Sequence, residues 1–181
     1  TVSDYFYENN MDYVAVNSWS DGDDFRNELC DAVTGDISSL VAMKWQYEQD
    51  DSLDFDMNIM QEVISKEPLG PVVRHGDDQW LDVVKWSLFA MLNAEEMGIS
   101  KANIGTMMNS DNPSILRFVG KEGDVGKNLG LSADWSANII KQVGNYGESY
   151  KRNIADTGIL PDRGPNELWT KGGILYVAPA R

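Results

Sequence analysis

The spacing of apolar residues changes near residue 76, and this change limits the folds open to the chain. Up to that point, stretches rich in β-forming residues alternate with stretches that favour helices. From Asp77 onward, apolar residues recur at helical spacing, as Trp80, Val84 and Leu88 do. Alternating strands and helices indicate an α/β unit with a central sheet. We therefore expect an α/β part followed by a helical part.

The individual elements follow from residue type and from helix caps. β-Forming residues predict strands at 11–19 and 32–36, and short extended segments within 54–60 and 62–76. Capping residues, with Ser3 and with Asp77 or Asp78 as N-caps, and apolar periodicity predict helices at 3–10, 20–32, 37–49, 77–100, 112–120 and 134–153. The stretch 166–181 is aromatic and glycine-rich and is expected to pack as a tail.

Charge is unevenly distributed along the chain. Residues 1–60 hold 14 of the 29 acidic residues and 2 of the 15 basic ones, a net −12, which leaves −2 for the remainder. This shift suggests two structural units. The total of −14 argues against nucleic acids and anionic membrane surfaces as partners, because phosphate contacts require Lys and Arg. The 42% of hydrophobic residues is enough to bury a core.

One cysteine, Cys30, and one histidine, His75, restrict the chemistry that the chain can perform. A single cysteine excludes an internal disulfide and a cysteine-cluster metal site. The pair could in principle serve as nucleophile and base, but no supporting motif surrounds either residue. A buried thiol and a surface imidazole are the simpler interpretation.

Asp36 lies in the stretch LCDAVTGDISSL, where a predicted strand turns into a predicted helix. A carboxylate in this position can cap the following helix through free backbone N–H groups. It can also contact a ligand, because ligands of open α/β sheets bind at the carboxyl ends of strands. An acid among the small residues Thr34, Gly35 and Ser38 would suit an ammonium group. Both roles can coexist.

Two other patterns suggest binding sites only weakly. Gly120, Gly123, Gly126 and Gly130 lack the preceding strand and the Gly-Lys-Ser/Thr ending of a phosphate-binding loop. Acidic clusters at 21–24 and 50–56 lack the loop spacing and the terminal Glu of a calcium site. A solvated acidic face is the preferred interpretation, and we expect neither a metal nor a cofactor.

Several longer motifs resemble one family. They are EVISKEPLGPVVRHGDDQW, CDAVTGD, NAEEMGI, IIKQVGNYGE, RGPNELW and GGILYVAPAR. Together they are similar to the general L-amino-acid-binding proteins of bacterial ABC importers, which are solute-binding proteins of the family-3 type. The resemblance extends over essentially the whole chain. It implies a type II periplasmic-binding-protein, or Venus-flytrap, fold, in which two lobes clamp a ligand in the cleft between them.

The resemblance also implies that the chain is a C-terminal part of such a protein, with the first lobe mostly missing. Residues 1–66 would form the second ligand-binding lobe and 67–76 the hinge crossover. Residues 77–181 would form a helical segment that packs on the missing first lobe. The hinge would include Glu67, Pro68, Leu69 and Gly70, and its two prolines would concentrate rotation in few bonds.

In the resembled family, the acid of the C-D-x-x-T-x-D motif pairs with the α-ammonium of the ligand. Asp36 stands at that position. Thr34 and Ser38 are weaker candidates for lining the cleft. Gly35 stands where relatives often carry Thr, which would either widen the side-chain pocket or be neutral.

The implied function is that of a periplasmic substrate-binding component without catalytic activity, whose partners are an L-amino acid and the membrane permease of the importer. A half cleft should bind no amino acid with submillimolar affinity. Apolar faces of the helical segment 77–181 would need to be buried in a dimer or a swapped assembly. Two alternatives stay open, a dehydratase of the cyclohexadienyl type on the same fold and a stand-alone interaction module from a truncated transporter gene.

Overall fold

The computed structural model describes residues 2–16, 22–54, 56–65, 69–158, 160 and 162–179. The chain divides into two compact units, Thr1–Gly70 and Pro71–Arg181. The division follows Gly70, which belongs to the segment predicted to be a hinge crossover. The role of that segment stays a prediction, and two of its named residues, Glu67 and Pro68, lie outside the described residues.

The described residues of the first unit form three helices: α1 (Val2–Glu8), α2 (Asp23–Arg26) and α3 (Ile37–Glu48). The helices predicted at 3–10 and 37–49 are thereby confirmed, although Ser3 lies inside α1 instead of capping it. The helix predicted at 20–32 is much shorter than expected. Its backbone turns at Gly22 before the helix and reaches a positive φ at Glu28 after it, so only one turn fits between them.

The segments predicted as strands form no ladder in the part of the chain that the structure describes. Residues 11–16, 32–36, 56–60 and 62–65 have no regular secondary structure, and the only β-bridge among described residues is an isolated one between Leu168 and Leu175. The physical reason is that a helix completes its hydrogen bonds within its own segment, whereas a strand requires a neighbouring strand.

The second unit is helical, as predicted. Asp77 caps helix α4 (Asp78–Glu96), since its Oδ1 accepts a hydrogen bond from the Trp80 N–H at 3.1 Å. The helix predicted at 134–153 is in fact two helices, because Asn145 begins a new one with a capping box to Glu148. The helices are α4 (Asp78–Glu96), α5 (Ile104–Met107), α6 (Pro113–Phe118), α7 (Val125–Asn128), α8 (Trp135–Val143) and α9 (Tyr146–Asn153).

The core of the second unit lies where α4 packs against α8 and α9. Ala90 and Ala94 are four residues apart and therefore share one face of α4. Their small side chains let the backbones approach, and larger residues fill the space around them. The buried cluster is Ala90, Ala94, Ile99, Ile104, Phe118, Val119, Leu129, Trp135, Ala137 and Ile140.

Close backbone packing explains the glycine pattern better than a phosphate site does. Gly120 has φ +78°, and a Cβ added there would lie 1.9 Å from the carbonyl oxygen of Ala133. The Ser136 hydroxyl donates to the Phe118 carbonyl in the same region. The chain after α6 can therefore lie against the start of α8 only because residue 120 has no side chain.

A buried ion pair links the segment that follows α9 to helix α4. Arg163 donates through Nη1 to Glu95 Oε1 at 2.5 Å and through Nη2 to Oε2 at 3.2 Å. The two side chains are only 10% and 9% exposed. Arg163 Nε also donates to the Asn166 carbonyl at 3.1 Å, and its guanidinium carbon lies 5.2 and 5.6 Å from the ring centroids of Tyr146 and Tyr150.

The environment of Arg163 keeps it charged. Burial acts to lower its pKa, but the hydrogen bonds and the negative charge of Glu95, with help from Glu167, raise that pKa above its ordinary value. A buried charge of this kind is tolerated only while its partner is present. The position of the C-terminal segment therefore depends on Glu95.

Replacing Arg163 with Met tests this dependence. We expect the free energy of unfolding of the second unit to fall by about 3–5 kcal/mol, because Glu95 would stay buried with only the more distant Lys171, whose Nζ lies 3.8 Å from its Oε1, to pair with it. Lys85→Met is the matched control, since Lys85 pairs with Asp82 at 2.6 Å but the two side chains are 43% and 50% exposed. That control should cost less than about 1 kcal/mol. Urea unfolding followed by circular dichroism measures the free energy of unfolding of both variants. Equal losses in the two variants would contradict the dependence of the C-terminal segment on the pair of Arg163 and Glu95.

Candidate functional site

Asp36 occupies the N-cap position of α3. Its backbone is extended, with φ −62° and ψ 142°, and its carbonyl accepts from the Leu40 N–H at 2.9 Å, which begins the helix. The side chain makes no capping hydrogen bond. Of the two roles that the sequence allows for Asp36, capping through the carboxylate is therefore not the one seen. The half-buried carboxylate is left to accept hydrogen bonds from another donor.

The electrostatic setting of this carboxylate suits a cation. Among the described residues, no ion pair involves Asp36. An ionised carboxylate only accepts hydrogen bonds, and both of its oxygens can serve an ammonium group. Asp36 stands at the N-terminus of the twelve-residue helix α3.

The other predicted ligand-binding residues adjoin Asp36 in the same turn. Thr34, Gly35 and Ser38 are all exposed, so two hydroxyl groups flank the carboxylate along the chain. A Cβ added to Gly35 would lie 3.6 Å from Leu40 Cδ2, which is an ordinary contact. The backbone and the packing therefore do not require glycine at position 35.

Contacts along the other half of α3 hold the helix in place. The Tyr47 hydroxyl donates to the Gly22 carbonyl at 3.0 Å, and the Tyr47 ring stacks on Phe25 with centroids 6.4 Å apart. A Cβ on Gly22, where φ is +90°, would lie 2.6 Å from Met43 Cε. Burial raises the pKa of Tyr47. The contact between Gly22 and Tyr47 could not be predicted from the sequence, because no local pattern links residue 22 to residue 47.

Further contacts hold the residues that follow the C-terminal end of α3. Asp50 accepts from the Ser52 hydroxyl at 2.5 Å and from the Ser52 N–H at 3.1 Å, and it pairs with Arg26. The hydrogen bonds from Ser52 and the charge of Arg26 lower the pKa of Asp50. Asp50 is therefore a structural acid. Within the described ranges, no group of three metal-ligating side chains could hold a metal ion.

Four other residues that the sequence singled out lie in the described part of the chain, apart from Asp36 and its neighbours. Leu69, which is 72% exposed, and Gly70 are the described members of the proposed hinge. Cys30 is half-buried and His75 is exposed. None of the described helices is both long and apolar enough to cross a membrane.

Comparison with known proteins identifies relatives over nearly the whole chain. The general L-amino acid-binding periplasmic protein AapJ of Rhizobium johnstonii is 47% identical, over 99% of this chain and 53% of the relative. The glutamate/glutamine/aspartate/asparagine-binding protein BztA of Rhodobacter capsulatus is 44% identical, over 99% of this chain and 54% of the relative. No protein-family model matches.

A solved structure gives the same result. It is an ABC transporter periplasmic binding protein from Brucella ovis with glutathione bound, and its sequence is 43% identical. The TM-score is 0.89, with 99% of this chain and 57% of that chain covered. The predicted resemblance and fold class are thereby confirmed. This chain spans about half the length of the curated relatives that it matches.

Two glycines that precede α3 in the chain, Gly22 and Gly35, test how this helix is supported. Gly22→Ala should lower the free energy of unfolding of the first unit by about 1–2 kcal/mol, because alanine is strained at positive φ and its Cβ would displace Met43. Gly35→Ala should be neutral or stabilising by about 0.4–1 kcal/mol, because it restricts the unfolded chain without strain. Urea unfolding of both variants checks this, and the reverse order of stabilities would refute the described geometry.

Proposed function

We propose that this chain, whose homologues are the periplasmic binding proteins of amino-acid ABC transporters, is part of the substrate-binding component of such an importer. The ligand would be an L-amino acid or a molecule carrying the same α-amino-acid group. The observation that carries the proposal is the half-buried carboxylate of Asp36, which stands at the N-terminus of α3 without a capping hydrogen bond. The importer's permease would be the partner, and the periplasm the location.

In this proposal Asp36 accepts hydrogen bonds from the ligand ammonium. Charge-assisted bonds of this type are about 2.7–2.9 Å long and roughly twice as strong as neutral ones. The hydroxyls of Thr34 and Ser38 would supplement them, since both side chains are exposed beside Asp36. No bond of the ligand is made or broken, so the protein would bind and release the ligand unchanged.

The ligand's α-carboxylate would need a cation that the first sixty residues do not supply. Their two basic residues are Arg26 and Lys44. Arg26 pairs with Asp50, while Lys44 pairs with Glu48 at 2.5 Å and donates to the Met57 carbonyl at 2.8 Å. Both cations therefore already pair with acidic residues of this chain. This supports a site in which the carboxylate is held by another part of a two-lobed protein.

The ligands in the relatives' names share one chemical group. General L-amino acids, the four named acidic and amide amino acids, and glutathione all carry a primary ammonium beside a carboxylate. A single carboxylate at position 36 would serve each of them in the same way. The distinction among them would come from groups that surround the ligand's side chain.

The domain assignment follows from the same proposal. Residues 1–66 would belong to the second ligand-binding lobe, 67–76 to the hinge crossover and 77–181 to the helical segment that packs on the first lobe. The observation that supports the crossover is the division of the chain after Gly70. Hinge closure would desolvate the bound ammonium and strengthen its interaction with Asp36.

Substitution of Asp36 is the direct test. The chain would be joined to the remainder of the Rhizobium johnstonii relative, and binding of a panel of L-amino acids and of glutathione measured by titration calorimetry. Asp36→Asn should weaken binding by roughly 100-fold, because truncating one partner of a buried charge pair costs about 2–5 kcal/mol. Asp51→Asn removes an exposed acid of the same unit and should leave affinity unchanged.

The isolated chain gives a second readout. It should show no submillimolar affinity, because it supplies only the ammonium side of the site. Micromolar binding by the isolated chain would refute the half-site, and full affinity in the joined Asp36→Asn variant would refute the role of Asp36.

A further inference from the structure

The room beside Asp36 depends on the residue that precedes it. Gly35 is exposed, and its φ lies outside the positive range that favours glycine. Apart from its chain neighbours, the nearest atom to a Cβ added there would be Leu40 Cδ2, at 3.6 Å. The fold therefore accepts a side chain at position 35, and glycine leaves the space beside the carboxylate open.

Glycines elsewhere in the chain are required by close backbone packing. A Cβ on Gly126 would lie 2.3 Å from the carbonyl oxygen of Ser132, and one on Gly173 would lie 1.9 Å from that of Glu167. No side chain fits at such distances. Gly35 has no constraint of this kind, so the size of residue 35 affects what reaches the neighbouring carboxylate and not how the described chain packs.

The residue that follows Asp36 offers an apolar surface. Ile37 is the first residue of α3, and its side chain is 57% exposed. The Asp36 carboxylate, which makes no capping hydrogen bond, therefore stands in the chain between an open position and an apolar side chain. A ligand whose ammonium binds this carboxylate can pack its aliphatic carbons against Ile37, and removing those carbons from water stabilises the complex.

We propose that Gly35 and Ile37 determine which ligands bind at Asp36, and that the site accepts α-amino acids whose side chain is a methylene stem with a bulky group at its end. The stem packs against Ile37, and the space that Gly35 leaves open admits the bulky group. The inference rests on the proposed function, because it takes Asp36 as the acceptor of the ligand ammonium. It goes beyond that function by assigning ligand size to two residues.

Small free amino acids are the alternative ligand class, and the geometry favours the larger one. A site restricted to small ligands rejects larger ones by a steric clash with its own side chains. Position 35 can carry a side chain for this purpose, since a Cβ there makes only an ordinary contact. Glycine at this position supplies no such clash, so nothing at residue 35 excludes a large ligand.

Two ligands that share one end test the proposal. Glutathione is a glutamate extended through its side-chain carboxyl group, so both ligands present the same ammonium and α-carboxylate. The chain would be joined to the remainder of the Brucella ovis protein, whose structure holds glutathione, and both affinities measured by titration calorimetry. Gly35→Val should weaken glutathione binding roughly 30-fold and L-glutamate binding by less than about threefold, because only the larger ligand needs the space.

Gly105→Val is the matched control. Gly105 lies in α5 of the second unit, and a Cβ added there would have no neighbour within 4 Å. This variant should leave both affinities unchanged. Gly35→Ala adds only the Cβ and should give a glutathione affinity between those of the parent and Gly35→Val. Urea unfolding of Gly35→Val should match that of the parent, and a variant that does not fold would overturn the proposal.

Ile37→Ala tests the apolar contact. It should weaken L-glutamate binding roughly fivefold, because the methylene stem of this ligand loses its contact, and L-alanine binding by less than about twofold. Equal losses for these two ligands would contradict the role of Ile37.

Three further results overturn the proposal: no measurable glutathione binding by the joined parent, equal losses for glutathione and L-glutamate in Gly35→Val, or no loss for either. Asp36→Asn separates this failure from that of the proposed function. If Asp36→Asn weakens both ligands while Gly35→Val does not discriminate between them, the proposed function stands and this inference falls. If Asp36→Asn leaves both affinities unchanged, the role of Asp36 and this inference fall together.

Discussion

The bidentate contact between Arg163 and Glu95 is the interaction on which the second unit depends most. It joins the end of α4 to a segment 68 residues later, and the rings of Tyr146 and Tyr150 on α9 enclose the guanidinium. Neither charge is tolerable alone at about one-tenth exposure. Three parts of the chain are therefore held in one arrangement. The buried amide of Asn93 extends this attachment by donating to the Ala178 carbonyl at 2.9 Å.

The two units differ because their hydrogen bonds have different ranges. Helices α4 to α9 complete their bonds locally, and their apolar faces then find each other around Ala90, Ala94 and Ala137. The described segments between the helices of the first unit form no ladder, because strand hydrogen bonds require a partner segment. Large apolar side chains of this unit, such as those of Val14 and Val63, are exposed.

The candidate site shows how one position can be prepared for a ligand. Asp36 stands at the N-terminus of α3, and its side-chain oxygens make no capping hydrogen bond there. Tyr47, Phe25 and the contact between Arg26 and Asp50 fix the opposite end of the helix. The chain's basic residues in this region are occupied elsewhere, so an incoming ammonium group meets no competing cation. The net charge of −12 in residues 1–60 supports the proposed role of this region in binding an ammonium group.

The local features could be predicted from the sequence alone. They are the main helices, a cap at Asp77 or Asp78, the turn that places Asp36 before α3, and the charge imbalance, because each of these depends on neighbours within a few residues. Its longer motifs also indicated the family that the comparisons bear out. Other features became visible only in the folded chain: Gly120 is needed for contact with Ala133, Glu95 pairs with Arg163, and the Asp36 carboxylate makes no cap. The first two depend on residues far apart in the chain. Strand pairing has the same dependence, which is why predicted strands formed no ladder in the described residues while predicted helices formed.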